Sequence, residues 1–431
     1  MSKEAYQRFR AWETCTALAG CLSMVMAGIS MTWPSPLTAW YSSKDSEVPM
    51  TEHEVSWLVS IVAISCAVAS VPCGMLADVF GRKTILLAMG FSTALSWLLI
   101  MMTRSKWALF VAQILGGLIL GGAPCVAPIY ISEISPPNIR GALVGQLNTL
   151  FFAGQLVVYF VGPQLSYTNY IRVCFSIPIL FLILFGFAPE SPYYLMSKGR
   201  EEEAKDCMMK LRGKDSIVEL EVSQKESQEK NLMDKTSIWE MLKTGDYMKN
   251  MICLQILSGV SMFNGLSTLS VYAVEFLGGQ WVAVEMGSVF VVSSFLAAFL
   301  ADPVGRRPLL VSSLIGAAIF TTILAIYFMY QKKILLYIGL FGFCFITSVG
   351  INPFMMTLPS ELFPTSLRGF ANGLTQLTTG FFGFICIKIF VNINEILGIE
   401  YNFFLYTVLS LIGAMAGYLL PETAKSVISA A

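Results

Sequence analysis

The sequence predicts an all-α integral membrane protein. Twelve transmembrane helices form two six-helix halves related by a pseudo-two-fold repeat, with short cytoplasmic helices between the halves. Three observations carry this. Of 431 residues, 55% are hydrophobic and only 13% charged, about half the charge of an average soluble domain. Twelve apolar runs are long enough to cross a bilayer. Three motifs recur once in each half, in the same order. A soluble protein this apolar would have no polar skin for its core, whereas lipid lets the outside of a protein be as apolar as its inside.

A helix crosses the hydrocarbon with about 20 apolar residues. In the first half such runs lie near 14–33, 55–77, 84–103, 107–130, 142–162 and 170–188; in the second, near 249–272, 281–301, 308–330, 334–358, 370–391 and 401–420. The first run follows Lys3, Arg8 and Arg10 and has no small-residue cleavage site, so it reads as a retained helix. The division is therefore 1–188 for the N-terminal half, 189–248 for a cytoplasmic linker, and 249–431 for the C-terminal half and tail.

Lys and Arg set the expected orientation. Arg82, Lys83, Arg140, the charged middle segment, Arg306, Arg307 and Arg368 fall on one side, together with the N-terminal basic residues. That side is expected to be cytoplasmic and to hold both termini. Trp33, Trp40, Trp57, Trp107 and Trp281 are expected near the outer interface, which suits the amphipathic indole. In the middle segment, EEEAKDCMMKLRG, SIVELEVSQKESQEKNLMDK and TSIWEMLK read as short amphipathic helices under the bundle, serving as a solvated linker or a regulatory platform.

The repeat is specific. GMLADVFGRK, with Asp78 and Arg82, returns as FLADPVGRRP, with Asp302 and Arg306, 224 residues later. YISEISPPNIRGAL, with Glu133 and Arg140, returns as LPSELFPTSLRGFA, with Glu361 and Arg368, after 228 residues. PESP, which contains Glu190, has its counterpart in PETA at 421–424. Two halves related by an axis along the membrane normal explain three motifs at nearly one spacing. Gly81 and Gly305 permit tight reversals between helices. The carboxylates of Asp78 and Asp302 would then lie where a cation or a helix N-terminus can meet them. Arg82 by itself also suits simple positive-inside anchoring. Glu133 and Arg140, like Glu361 and Arg368, are seven residues apart with prolines between. They are too far apart on a helix to pair directly, so their partners are expected elsewhere, across the interface between the halves. Asp78, Arg82, Glu133, Arg140, Glu190, Asp302, Arg306, Glu361 and Arg368 form a candidate gate.

Other chemistry is excluded. The net charge is zero, which offers no basic face to nucleic acid. His53 is the single histidine and lies among Glu52 and Glu54 in a polar loop, which argues against a metal or catalytic site. The ten cysteines fall mostly inside apolar runs, without a CxxC pair, and read as small hydrophobes. A Ser/His/Asp set, an HExxH motif and a nucleotide loop are all lacking, so neither an enzyme nor a cofactor is expected.

The set D78-x-x-G-R-K, E133-I-x-P-x-x-x-R-G, PESPYYL at 189–195, LRG at 211–213, D302-x-x-G-R-R, E361-L-F-P-x-x-x-R-G and PET at 421–423 resembles the sugar porter family of the major facilitator superfamily. The opening WPSP and WLVSIVAISCAVASVPCGMLADVFGRK look most like the insect facilitated trehalose and glucose transporters. The resemblance implies transport of a sugar such as trehalose or glucose by alternating access in a plasma membrane. It also marks departures. Asn148 stands where such proteins carry Gln. LQILSGVS keeps Gln255, Ser258 and Gly259, but Ile256 and Ser261 replace a Gln and an Asn. Met356, and the pair Thr379–Gly380, replace a Trp and an Asn–Trp pair. Tyr193 and Gln113 replace arginines.

Polar groups within spans face protein or water rather than lipid. Asn148, Gln155 and Tyr159 share one helical face; Gln255 pairs with Ser258, and Gln376 with Thr379. Asn352 lies between Gly350 and Pro353, where the backbone can open. The expected contacts for a small neutral sugar are Gln255, Asn148, Ser258, Asn264, Asn352 and Thr379; interhelical hydrogen bonding is the other reading of each. The first helix has no acid from Thr14 to Ser43, and acids of the fifth, seventh and tenth spans lie near their ends. Lys388 is placed to snorkel toward a surface. Passive uniport is therefore expected, with a sugar receptor or a facilitator of another neutral solute as alternatives.

Overall fold

The computed structural model describes residues 3–42, 46, 48–212, 247–276, 279–363 and 365–419. All of its regular structure is helical. The spanning helices of the first half are α1 (Lys3–Thr32), α2 (Glu52–Phe80), α3 (Arg82–Met102), α4 (Lys106–Ile134), α5 (Leu147–Val161) and α6 (Tyr167–Gly186). Those of the second are α7 (Tyr247–Phe263, resumed at Leu266–Phe276), α8 (Gln280–Val304), α9 (Arg306–Tyr330), α10 (Lys333–Val349, resumed at Ile351–Leu362), α11 (Thr365–Ile396) and α12 (Ile399–Tyr418). Eleven meet the length and apolarity of a membrane crossing, and α8 adds the apolar stretch Trp281–Ala297.

Local chemistry sets the ends. Thr51 and Glu54 form a reciprocal capping box that starts α2. Gly81 (φ 104°) and Gly305 (φ 90°) turn the chain directly from α2 into α3 and from α8 into α9. A side chain would be strained at either. Pro72, Pro124, Pro128 and Pro178 lie inside helices, which a bundle tolerates because neighbouring groups satisfy the freed carbonyls.

The packing follows the repeat. In the first half α3 packs on α4 and α6, and in the second α9 packs on α10 and α12. The halves meet where α2 lies on α11 and where α8 lies on α5, contacts that a two-fold axis exchanges. Between the halves, Pro192–Ser197 and Glu201–Arg212 are short helices. Buried Leu195, Met196, Ala204, Met208 and Leu211 join them to the core of the first half. The expected helix over TSIWEMLK, the charged stretch before it and the PETA motif lie outside the described residues.

The core is divided unevenly. Away from the linker, one cluster joins both halves through Trp33, Tyr159, Tyr170, Tyr272, Phe290, Phe390 and Tyr406. At the linker end the buried apolar residues form two separate clusters, one in each half. At the far end the second piece of α7 packs against Ser35–Leu37 and Thr38–Tyr41, the short turns after α1, so that end is the closed one.

Trp33 departs from the expected interfacial position. It is 2% exposed, its Nε1 donates to Gln113 Oε1 at 2.6 Å, and it meets Trp97 edge-on at 5.5 Å. Pro34 begins a tight turn directly after it, which carries the indole inward. Trp57, Trp107 and Trp281 are exposed. Cys207 is buried in the second linker helix.

Candidate functional site

Three spans are interrupted. α5 begins after Gln146, whose ψ of −6° departs from the helix. α7 breaks at Asn264–Gly265, with Gly265 at φ 98°. α10 breaks at Gly350, at φ −107° and ψ −92°. Broken spans free backbone groups and open space between halves. A cavity of about 160 Å³ lies there, lined by both halves. One buried water needs about 10–15 Å³ on this measure, so the space suits a small solute and not merely a bridging water.

Its polar lining is Asn148, Gln155, Ser261, Ser267, Ser270, Asn352, Thr375, Gln376 and Thr379, set among apolar walls such as Met31, Leu120, Phe151, Phe152, Met262 and Met355. Among the described residues, no Asp, Glu, Lys, Arg or His lines the cavity. Asn148 Nδ2 donates to Ser294 Oγ on α8 at 3.2 Å, a contact between the halves. Thr379 Oγ1 donates back to the Thr375 carbonyl at 2.8 Å. Three buried polar atoms of the lining have no protein partner: Gln155 Oε1, Ser270 Oγ and Asn352 Nδ2.

Of the expected contact residues, Asn148, Asn352 and Thr379 line this cavity, whereas Gln255, Ser258 and Asn264 do not. Gln255 Oε1 accepts from Thr378 Oγ1 of α11, and Ser258 Oγ donates to the Leu254 carbonyl at 2.8 Å. Asn264 Oδ1 accepts the Leu266 N–H at 2.9 Å and so caps the resumed part of α7. Tyr159, on the same face as Asn148 and Gln155, donates to the Ser270 carbonyl at 2.5 Å and ties the halves together beyond the cavity. Ser270 and Ser294 carry no sequence signal that separates them from other serines of the spans.

At the linker end a charged cluster occupies the first half. Arg82 reaches Asp78 at 3.1 Å and Glu133 at 3.3 Å. The Arg82 Nε and Glu133 Oε2 atoms are not aligned for a hydrogen bond, so their contact is ionic. Glu133 thus pairs inside its own half, not across the interface as expected, because the ends of α3 and α4 lie side by side. Glu190 Oε1 accepts the backbone N–H groups of Lys83 and Ser191, both at 2.9 Å. This places a carboxylate at the N-terminus of α3, where the helix dipole favours it. A Cβ on Gly81 would come within 2.2 Å of Glu190 Oε2, so a side chain there would displace the Glu190 carboxylate as well as strain φ. Tyr194 donates to the Val79 carbonyl at 2.9 Å, and Arg82 lies 5.5 Å from its ring centre. The side chains of Asp302, Arg306, Glu361 and Arg368 lie outside the described residues. The far end carries a third feature: Lys388 Nζ of α11 sits 4.4 Å from the Trp57 ring of α2 and 3.4 Å from Ser56 Oγ.

The sequence matches the family described as "Sugar (and other) transporter" over residues 14–429. It is 27% identical to the facilitated trehalose transporter Tret1 of Bombyx mori, over 98% of this chain and 86% of that protein. It is 25% identical to the human solute carrier family 2, facilitated glucose transporter member 6, over 94% of this chain and 87% of that protein. The fold resembles the inward open conformation of the xylose transporter XylE from E. coli, with a TM-score of 0.80 and 20% identity over 97% of this chain and 99% of that one. The partially occluded inward open conformation of the same transporter gives a TM-score of 0.79, with 20% identity over 96% of this chain and 99% of that one.

Proposed function

This chain belongs to the sugar transporter family of the major facilitator superfamily, and from that premise we propose that it is a uniporter, passing a neutral sugar down its gradient by alternating access. It is a multi-pass membrane transporter, not an enzyme. The observation that carries the uniport reading is the lining of the cavity: neutral amides and hydroxyls from both halves, with no titratable carboxylate, ammonium or imidazole among the described residues. Amides and hydroxyls supply the donors and acceptors that a polyol needs. Coupling to protons would need a group near the path whose charge changes with pH, and a sodium site would need several converging oxygen ligands. The facilitated trehalose and glucose transporters among the relatives favour trehalose or a hexose as the substrate.

The far end is sealed by one core common to both halves while the linker end has two. This supports a reading of the conformation as open toward the linker. With the basic residues at that end, the linker and both termini are cytoplasmic, and the membrane is the plasma membrane. Asp78, Arg82, Glu133, Arg140 and Glu190, with their counterparts Asp302, Arg306, Glu361 and Arg368, form the gate that closes the linker end in the opposite state.

The test is uptake of labelled mono- and disaccharides into sealed proteoliposomes under imposed pH or sodium gradients. Uptake that equilibrates without exceeding the outside concentration is expected. Accumulation above the outside concentration, abolished by a protonophore or by removing sodium, refutes uniport. Binding without uptake identifies a sugar receptor instead.

A further inference from the structure

We propose that Gln155, Ser270 and Asn352 are the specificity-determining residues of the cavity, the three polar positions that a neutral hydroxylated solute satisfies. This rests on the transport reading above and narrows it. Several polar groups at and near the cavity are already engaged. Gln255 is engaged by Thr378, Asn148 by Ser294 and Thr379 by the Thr375 carbonyl. Gln155 Oε1, Ser270 Oγ and Asn352 Nδ2 are buried and unmatched, and all three residues line one space. A buried polar atom without a partner is unfavourable to keep. Three around one cavity mark the positions a guest would satisfy.

The atoms also specify the guest's chemistry. Gln155 Oε1 accepts, Asn352 Nδ2 donates and the Ser270 hydroxyl does either. A solute hydroxyl both donates and accepts, so a compact polyol satisfies the set. A carboxylate or ammonium would enter a cavity whose described lining offers no opposite charge. The remaining wall is largely methionine, phenylalanine and leucine, including Phe151 and Phe152, which suits the C–H face of a sugar ring.

Ser270 adds a link to conformation. Its carbonyl takes the Tyr159 hydroxyl across the halves, so the residue that meets the solute also holds the far end closed.

The experiment uses the full-length protein. Gln155→Leu, Asn352→Leu and Ser270→Ala are each reconstituted for uptake of labelled monosaccharides and of trehalose, and each is melted in detergent without sugar. Gln155→Met and Asn352→Ala replace a leucine variant that does not fold. Two results are expected: apparent affinity for the transported monosaccharide falls about 10- to 100-fold, and the sugar-free melting temperature stays level or rises, because an unmatched polar atom has been removed. Wild-type affinity in all three variants overturns the assignment, as does a lower melting temperature with affinity unchanged, which is the signature of a structural role. In each of those cases the wild type still transports sugar, so the family-based reading survives. A wild type that takes up no sugar and is not stabilised by any monosaccharide removes both.

Discussion

The linker-end cluster and the cavity between the halves treat buried polar groups in opposite ways. Around Arg82, charge meets charge: Asp78 and Glu133 face the guanidinium, while Glu190 accepts two backbone N–H groups. In the cavity the polar groups are neutral, and three of their atoms meet no partner. A cluster of opposite charges resists rearrangement and holds α3 and α4 to the linker helices. An unsatisfied, uncharged lining can exchange one solute for another at small electrostatic cost. A carrier needs both, one to hold a conformation and one to hold a guest weakly enough to release it.

Breaking the cluster should produce the largest effect. Arg82 and Glu133 expose only 14% and 16% of their side chains. Arg82→Ala leaves Glu133 with its charge and no cation, a change of the kind that costs roughly 3–5 kcal/mol when a buried pair loses one partner. The expected outcome is a lower melting temperature and reduced uptake, with partial recovery in Arg82→Lys, whose ammonium lacks the planar fork. Unchanged melting and uptake in Arg82→Ala would show that the cluster is ornamental.

Next in size is the close contact of α11 with α2 at the cavity. A Cβ on Gly380 would lie 2.7 Å from both Ala67 Cβ and Ala67 N. Gly380→Trp therefore forces the halves apart beside the guest space, and overpacking of this kind costs about 1–3 kcal/mol or more. Uptake should be lost in Gly380→Trp and reduced in Gly380→Ala, measured in proteoliposomes at matched protein density. Normal uptake by the Trp variant would mean that this approach of α2 and α11 is not kept during transport.

The two regions were not equally legible in the sequence. Twelve spans and their repeat are written in long apolar runs and in the paired D-x-x-G-R motifs, because a bilayer demands length and apolarity at each crossing. The cluster was half legible. Arg82, Asp78, Glu133 and Glu190 stand out as charges, but the pairing of Glu133 inside its own half depends on how α3 and α4 pack, which spacing does not state. The cavity was least legible. Gln255 and Asn264 look like sugar contacts by residue type, yet Thr378 and the Leu266 amide engage them. Ser270 matters through its position beyond the break of α7. Hydrogen-bonding capacity can be read from a residue, but whether a neighbour has already taken it cannot.

A smaller effect tests the closed far end. Lys388 lies over Trp57 and near Ser56, joining α11 to α2. Cation–π contacts contribute roughly 0.5–2 kcal/mol depending on desolvation. Lys388→Met should lower the barrier to opening that end, seen as greater labelling of cysteines introduced along the outer part of α2. Lys388→Arg should keep the contact. Equal labelling in Met and wild type would leave the seal to the apolar core alone.

The smallest effect at neutral pH concerns Cys207, which lies under the charged cluster and donates to the Glu190 carbonyl at 3.3 Å. Burial pushes its thiol up from 9.0 to about 12, with the Lys210 charge opposing and that of Glu190 adding to the rise. The thiolate is the reactive form, so Cys207 should resist maleimide at pH 7–8, where an exposed thiol reacts readily. The sign for stability follows from proton binding. Between the unfolded value near 9 and the folded value near 12, the folded protein holds the proton that the unfolded chain has released. Stability from this group is therefore fully present below pH 9 and declines as pH rises through that window. Site-resolved mass spectrometry after maleimide treatment at pH 7.5 and pH 10 measures the first effect. Melting of wild type against Cys207→Ala over the same range measures the second: the wild type should lose its advantage as pH rises, while the alanine variant lacks that component of the decline. Labelling of Cys207 at pH 7.5 as fast as a free thiol would mean that the linker helix opens often, and that the cluster above it does not hold the linker in place.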